Sequence, residues 1–161
     1  MKQGEAFPSK RVPWWLPLIG ALVCLALGMV SGISTKGGME WYRSLEKPAG
    51  NPPAWVFGPV WTVLYLLMGA AAGRLFARGG WSALGFFSLS FLCNLAWGPA
   101  FFMGNWLAGS VAILTAMWIF LFLSIRTAWA VDRVSAGLWV PYLLWITYAL
   151  YLNVSIAGLN P

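Results

Sequence analysis

The chain has 161 residues, of which 60% are hydrophobic and only 9% charged, with a mean hydropathy of +0.74. A soluble domain carries about 25% charged residues, so this composition excludes an ordinary soluble fold and points to a membrane protein. The net charge of +6 lies between apolar runs, which reads as membrane orientation and not as nucleic-acid binding.

Histidine is absent, which removes the commonest metal ligand and the usual general base at neutral pH. Cys24 and Cys93 both sit in apolar runs, at neither zinc nor disulfide spacing. No metal site and no cofactor is expected.

Residues 1–13 read as a polar cytoplasmic tail carrying Lys2, Lys10 and Arg11. The run from Trp14 to Ile33 has the length that spans a bilayer. It is too long for a signal-peptide core and shows no A-x-A site before Lys36, so it is expected to remain as a helix. Gly20, Cys24, Gly28 and Gly32 recur every four residues, a small-residue stripe that lets another helix come close and that would suit a dimer seam. A loop from Ser34 to Ala54 follows. Its Pro48, Pro52 and Pro53 forbid regular helix and favour extended geometry. With Trp41 and Asn51 they describe a stiff lid.

Helix two is expected from about Trp55 to Leu75, with Pro59 in its first turn or so and a second small stripe, Gly69 to Gly73, near its far end. Arg74 and Arg78 close that end and can snorkel. Helix three runs from about Trp81 to Met103, interrupted at Gly98-Pro99. The short Gly104-Asn105 turn sets helix four, Trp106 to Ile125, antiparallel beside it. A polar link with Arg126, Asp132 and Arg133 leads to helix five, Ser135 to Ile156, which contains Pro141. Residues 158–161 end the chain.

The fold class is therefore an all-α membrane protein, a bundle of five transmembrane helices with a proline-rich loop between helices one and two, in a single membrane domain over residues 14–157. Seven Lys and Arg lie on the side of the N-terminus and three on the other. The positive-inside rule then puts the N-terminus in the cytoplasm and the C-terminus outside, with a bacterial cytoplasmic membrane as the expected location.

Depth arithmetic collects the polar and aromatic groups. At 1.5 Å rise per residue, Trp61 and Trp97 lie about 9 Å below the loop end, and Asn94 about 14 Å. Trp145, Ala149 and Asn153 lie at roughly 17, 11 and 5 Å on one face of helix five. Trp61, Tyr65 and Met68 make a comparable face on helix two. Flat indoles with an amide below, under a proline-rich cover, suit a planar apolar ligand.

Plainer readings stand beside this one. Trp14, Trp15, Trp55, Trp81, Trp106, Trp129 and Trp139 fall at expected span ends, where an interfacial aromatic belt accounts for them. Trp61, Trp97 and Trp145 are deeper, where helix packing competes with ligand binding, and Asn94 competes as an interhelical hydrogen-bonder. Arg43, Glu46 and Lys47 are either a solvated loop face or a basic rim for a ligand carboxylate. All four acids, Glu5, Glu40, Glu46 and Asp132, fall in expected tails or loops, which argues against proton-coupled transport.

These residues give the chain a close resemblance to the TspO/MBR family, the tryptophan-rich sensory proteins whose animal members are called translocator protein or peripheral-type benzodiazepine receptor. The first matching block is Trp41-Tyr42, Leu45, Lys47-Pro48, Asn51-Pro52-Pro53, Trp55-Val56-Phe57, Pro59-Val60-Trp61-Thr62 and Leu64-Tyr65. A second is Asn94-Leu95-Ala96-Trp97 with Pro99 and Phe101-Phe102. A third is Val140 to Trp145 with Leu152-Asn153.

The resemblance implies a five-helix bundle, commonly a homodimer, that binds porphyrin or haem-like molecules. Its pocket would use Tyr42, Trp61, Asn94, Trp97, Trp145 and Ala149, to which the helix-two face adds Tyr65. It also implies, as an alternative, light-dependent oxidative breakdown of protoporphyrin, with Trp61 and Trp145 as the catalytic pair. An indole beside a photosensitising macrocycle can donate an electron, so no acid or base is required. Binding, not enzymology, is the favoured expectation.

Two departures stand out. The family often has a bulky residue where Gly50 stands, and no basic residue follows Tyr148 or Tyr151 to complete the sterol motif of animal members. Sterol recognition by that motif is not expected.

Overall fold

The computed structural model describes residues 11–161, the Ser34 side chain excepted, so Lys2 and Lys10 of the expected tail lie outside the described residues. Among the described residues, five helices are long and apolar enough to cross a membrane: α1 (Trp15–Ser34), α3 (Ala54–Arg78), α4 (Trp81–Gly98, its span continuing to Met103), α5 (Leu107–Val131) and α6 (Arg133–Leu159). The expected loop holds more order than its sequence announced. A 3₁₀ turn, Lys36–Gly38, runs into a short helix α2 (Met39–Ser44), and only residues 45–53 are extended or turned.

Each break between helices has a local cause. α3 ends in a Schellman turn, with Gly79 at φ +75 and the Gly80 N–H donating to the Leu75 carbonyl at 2.9 Å. α4 does not simply stop at Gly98-Pro99. It widens into a π-helical turn, Pro99–Met103, closed by the Gly104 N–H on the Pro99 carbonyl at 2.9 Å. Pro59 sits in the second turn of α3 and not the first, because the helix begins at Ala54, so the Trp55 carbonyl forgoes its usual partner. The polar link between the last two helices shrinks to one residue, Asp132. Arg126 and Arg133 are exposed helical residues, and long basic side chains reach polar surroundings without ending a helix.

Asp132 is no solvated loop acid. It is buried and accepts from Arg74 Nε at 2.9 Å, Arg74 Nη2 at 3.3 Å and Ser135 Oγ at 2.6 Å, with Arg78 Nη1 at 3.6 Å. Burial alone would raise its pKa. The hydrogen bonds from Arg74 and Ser135, with the charges of Arg74 and Arg78, outweigh that and hold it below the ordinary carboxylate value.

α1 packs against α3, α4 against α5, α5 against α6, and α6 back against α3. The small-residue stripes account for the first pairing, and they face each other within one chain. A Cβ on Gly20 would lie 2.2 Å from the Gly69 carbonyl oxygen, and one on Gly73 would lie 2.2 Å from that of Leu16. Only glycine permits so close an approach.

The core below is largely apolar and aromatic. Trp139, expected in the interfacial belt, is fully buried because α6 starts at Arg133, nearly two turns earlier. It stacks on Phe87 at 4.8 Å and donates its indole N–H to the Met68 carbonyl at 3.2 Å. The other six belt tryptophans, Trp14, Trp15, Trp55, Trp81, Trp106 and Trp129, are exposed.

Candidate functional site

Between the loop-side halves of α1, α3, α4 and α6 lies a cavity of about 400 Å³, within the size range of small-molecule sites. α3 lines it with Phe57, Trp61 and Tyr65, α4 with Asn94 and Trp97, and α6 with Ala149 and Asn153. Tyr42 of α2 and Asn51 of the loop close the top. Of the expected binding residues, the cavity thus brings together Tyr42, Trp61, Tyr65, Asn94, Trp97 and Ala149. No charged side chain is among its lining residues.

Trp145 is not among them. It stands edge-on to Trp61 at 6.5 Å and to Phe57 at 6.0 Å, so it buttresses the wall from behind. The reason is its depth: Ala149 and Asn153, one and two turns nearer the loop, are the residues of that α6 face that reach the cavity.

The aromatic side is ordered. Tyr65 stacks on Trp61 (5.4 Å, 27°), Trp61 lies 6.5 Å from Trp97 at 31°, and Trp97 stacks on Phe101 (5.8 Å, 20°). Each plane is thus within about a third of a right angle of the next, a panel of rings and not a random cluster. The hydrogen bonds that fix it are buried or partly buried. The Tyr65 hydroxyl donates to Asn94 Oδ1 at 2.9 Å, and the Trp97 indole N–H to Asn153 Oδ1 at 3.2 Å. Ser110 Oγ also reaches Asn153 Oδ1, at 3.0 Å. Asn94 also hydrogen-bonds the Tyr142 side chain, so its amide ties α3, α4 and α6 together at the cavity floor.

The lid is tied down rather than loose. Tyr42 donates to Asn51 Oδ1 at 3.0 Å, and the Lys47 ammonium sits 4.8 Å over the Tyr42 ring while donating to the Leu45 carbonyl at 2.9 Å. Burial holds the Tyr42 hydroxyl above its ordinary pKa; the bond to Asn51 offsets part of this and Tyr148 adds to it. It is therefore a neutral donor at physiological pH.

Residues 48–51 form a β-turn in which the Asn51 N–H meets the Pro48 carbonyl at 3.2 Å and Gly50 adopts φ +88. A positive φ at that third position accounts for the glycine. Two α6 residues and Asn160, just past its end, hold the loop: Tyr148 donates to the Gly50 carbonyl, Tyr151 to that of Ala49 at 3.4 Å, and Asn160 pairs with both backbone groups of Glu46 at 3.0 Å. Trp41 packs edge-on against Phe101 at 5.5 Å, while Pro52 and Pro53 lead straight into α3.

Sequence reasoning did not assign Asn153, Phe101, Phe102 or the α1 residues Gly28 and Gly32 to the site, yet all line the cavity. Asn153 carried a signal, its spacing of eight from Trp145. Phe101 and Phe102 face inward because of the π-helical turn, which a Gly-Pro pair alone does not specify.

Residues 20–159 match the model of the TspO/MBR family. The chain is 38% identical to Tryptophan-rich protein TspO of Chlorobaculum tepidum, over 86% of this chain and 92% of that one. It is 36% identical to Protein CrtK of Rhodobacter capsulatus, over 87% and 89%. It is 36% identical to the Translocator protein of Bos taurus, over 88% of each. With five spanning helices and matches over most of its length, the chain belongs to the TspO/MBR family of integral membrane proteins.

Proposed function

We propose that the protein is a membrane receptor or carrier that binds a porphyrin-type tetrapyrrole in the cavity beneath the loop. The observation that carries this reading is the ring panel Tyr65–Trp61–Trp97–Phe101 along an uncharged cavity. A broad flat macrocycle gains most from such a surface, through area burial and offset stacking. Asn94 lines the wall as a polar group already held by Tyr65, and Lys47, over the Tyr42 ring, with Arg43 would offer positive charge at the rim for peripheral carboxylates. The name of the bovine relative, Translocator protein, fits a carrier.

Titrating protoporphyrin into the purified protein while following tryptophan quenching tests the proposal. Trp61→Ala combined with Trp97→Ala should weaken binding by about tenfold or more. Unchanged affinity would empty the site of its ligand.

A second reading, light-driven oxidation of protoporphyrin, draws support from the Trp61–Trp145 ring contact. An electron lost by Trp61 at the macrocycle can be refilled from the indole behind it, with oxygen as the final acceptor. Bleaching of the porphyrin band under light, compared between the native protein and Trp61→Phe/Trp145→Phe, decides it. Equal bleaching removes the catalytic role.

On orientation, the Arg74, Arg78, Arg126 and Arg133 end faces the cytoplasm by its excess of basic residues, and the loop faces outside. A homodimer would use a lipid-facing surface, since the glycine seam of α1 is already occupied by α3.

A further inference from the structure

α1 and α3 do not stay in contact along their whole length. At Gly20 and Gly69 the backbones touch; two turns nearer the loop, a Cβ on Gly28 would meet the Tyr65 ring at 2.2 Å; one turn further, a Cβ on Gly32 would meet nothing within 4 Å. On the facing helix Gly58 is equally open. Gly32, Gly58, Met29 and Thr62 all line the cavity, and all four are exposed, Met29 by 58%. A residue that both lines a cavity and is exposed marks where the wall is breached. The breach lies between two spanning helices, so it opens toward lipid.

The top of the cavity is the opposite case. There, opening must break the Tyr148, Tyr151 and Asn160 bonds to the loop. On the side, the exposed lining residues are Gly32, Gly58, Thr62 and the unbranched Met29, whose change of rotamer is a motion of low barrier. Neither a positive φ nor a packing contact requires glycine at position 32, where it costs the helix about 0.5 kcal/mol relative to alanine. Gly58 precedes Pro59, so its missing Cβ also spares a clash with the proline ring.

We propose that the cavity is loaded and emptied sideways, by apolar ring molecules dissolved in the loop-side half of the bilayer, which pass between α1 and α3 over Gly32 and past Thr62. The proposal takes from the assigned function only that the ligand is flat and partitions into lipid.

The test uses the full chain in lipid nanodiscs and stopped-flow tryptophan fluorescence, with two probes supplied in vesicles: protoporphyrin, and pyrene as a flat molecule without pyrroles. Gly32→Leu/Thr62→Leu fills the slot. Gly85→Leu/Gly137→Leu adds the same bulk at other helical glycines with nothing within 4 Å, and Tyr148→Phe/Asn160→Ala frees the lid.

The slot variant should slow association by about tenfold without speeding dissociation. The other two variants should keep native rates. Native rates in the slot variant, or rates raised about tenfold by freeing the lid, overturn the side route. Faster dissociation from the slot variant also overturns it, because the two residues would then belong to the binding wall. Binding of pyrene without protoporphyrin removes the tetrapyrrole reading and leaves the slot to be judged on pyrene.

Discussion

The two ends of the α1–α3 pair are built on opposite rules from the same residue. At the arginine end, Gly20, Gly69 and Gly73 let backbones touch, and the neighbouring charges are paired around Asp132. At the loop end, Gly32 and Gly58 touch nothing, and an aromatic panel borders open space. Glycine removes a side chain in both places. Where the helices have converged, the result is close packing; where they have splayed, the result is a cavity. The closed half can thus act as the fixed frame on which the open half holds a ligand.

The sharpest way to break this contrast is Gly69→Ala. The new Cβ would lie 2.0 Å from the Gly20 carbonyl oxygen, a backbone atom that cannot swing aside. Separating the helices should cost about 3 kcal/mol or more, read as a lower unfolding temperature in detergent. A wild-type melting curve would mean the seam is not in contact.

Next comes Asp132→Asn, which leaves Arg74 and Arg78 facing a neutral amide. Removing one partner of a buried pair costs about 3–5 kcal/mol. The two arginine side chains are 22% and 29% exposed, so partial solvation should bring the loss down to about 2 kcal/mol. The pH dependence follows in sign. The folded carboxyl titrates below its ordinary value, so its stabilisation is complete above the unfolded pKa of about 3.9 and fades as pH falls through the folded value. The Asn variant should therefore lose less stability than the native protein on acidification below about pH 4. An identical acid limb would show that Asp132 does not anchor this end.

The two halves also differed in how far they could be read from sequence. Five spans were legible because apolar run length is a backbone-independent signal, and the depths of Trp61, Trp97 and Asn94 followed from helical rise alone. The stripes at Gly20 and Gly69 were legible as contact surfaces, but periodicity does not say which helix fills a groove. Trp139 was misplaced because charge at Arg133 looked like a helix end; α6 begins at Arg133 itself, two residues before the expected Ser135, and Trp139 stacks on Phe87 in the core. Trp145 was placed on the correct face, but whether it met the cavity or the back of Trp61 depends on how closely α3 and α6 pack. The six-residue α2 had no amphipathic repeat long enough to show.

At the loop end, Asn153→Ala tests the polar frame of the panel. It strips the acceptor shared by Trp97 and Ser110. One stranded donor in a buried setting costs about 1–2 kcal/mol, and Trp97 loses the bond that holds its ring toward Trp61. Stability should fall by that amount while protoporphyrin affinity drops several-fold. A stability loss with native affinity would show that stacking alone orients the panel.

The smallest effect is the most discriminating, because it reverses sign along one helix pair. Gly32→Ala adds at the loop end of α1 the same methyl group that Gly69→Ala adds at the seam. No atom lies within 4 Å of the new carbon, and Gly32 sits inside the helix without a positive φ. The methyl therefore meets no steric penalty and narrows the backbone freedom of the unfolded chain, a gain of about 0.5 kcal/mol so near the helix end. The melting temperature should rise slightly. A fall would mean that α1 and α3 close on each other at Gly32 as well. The pair would then be a uniform seam, and neither the cavity's open wall nor its sideways access would survive.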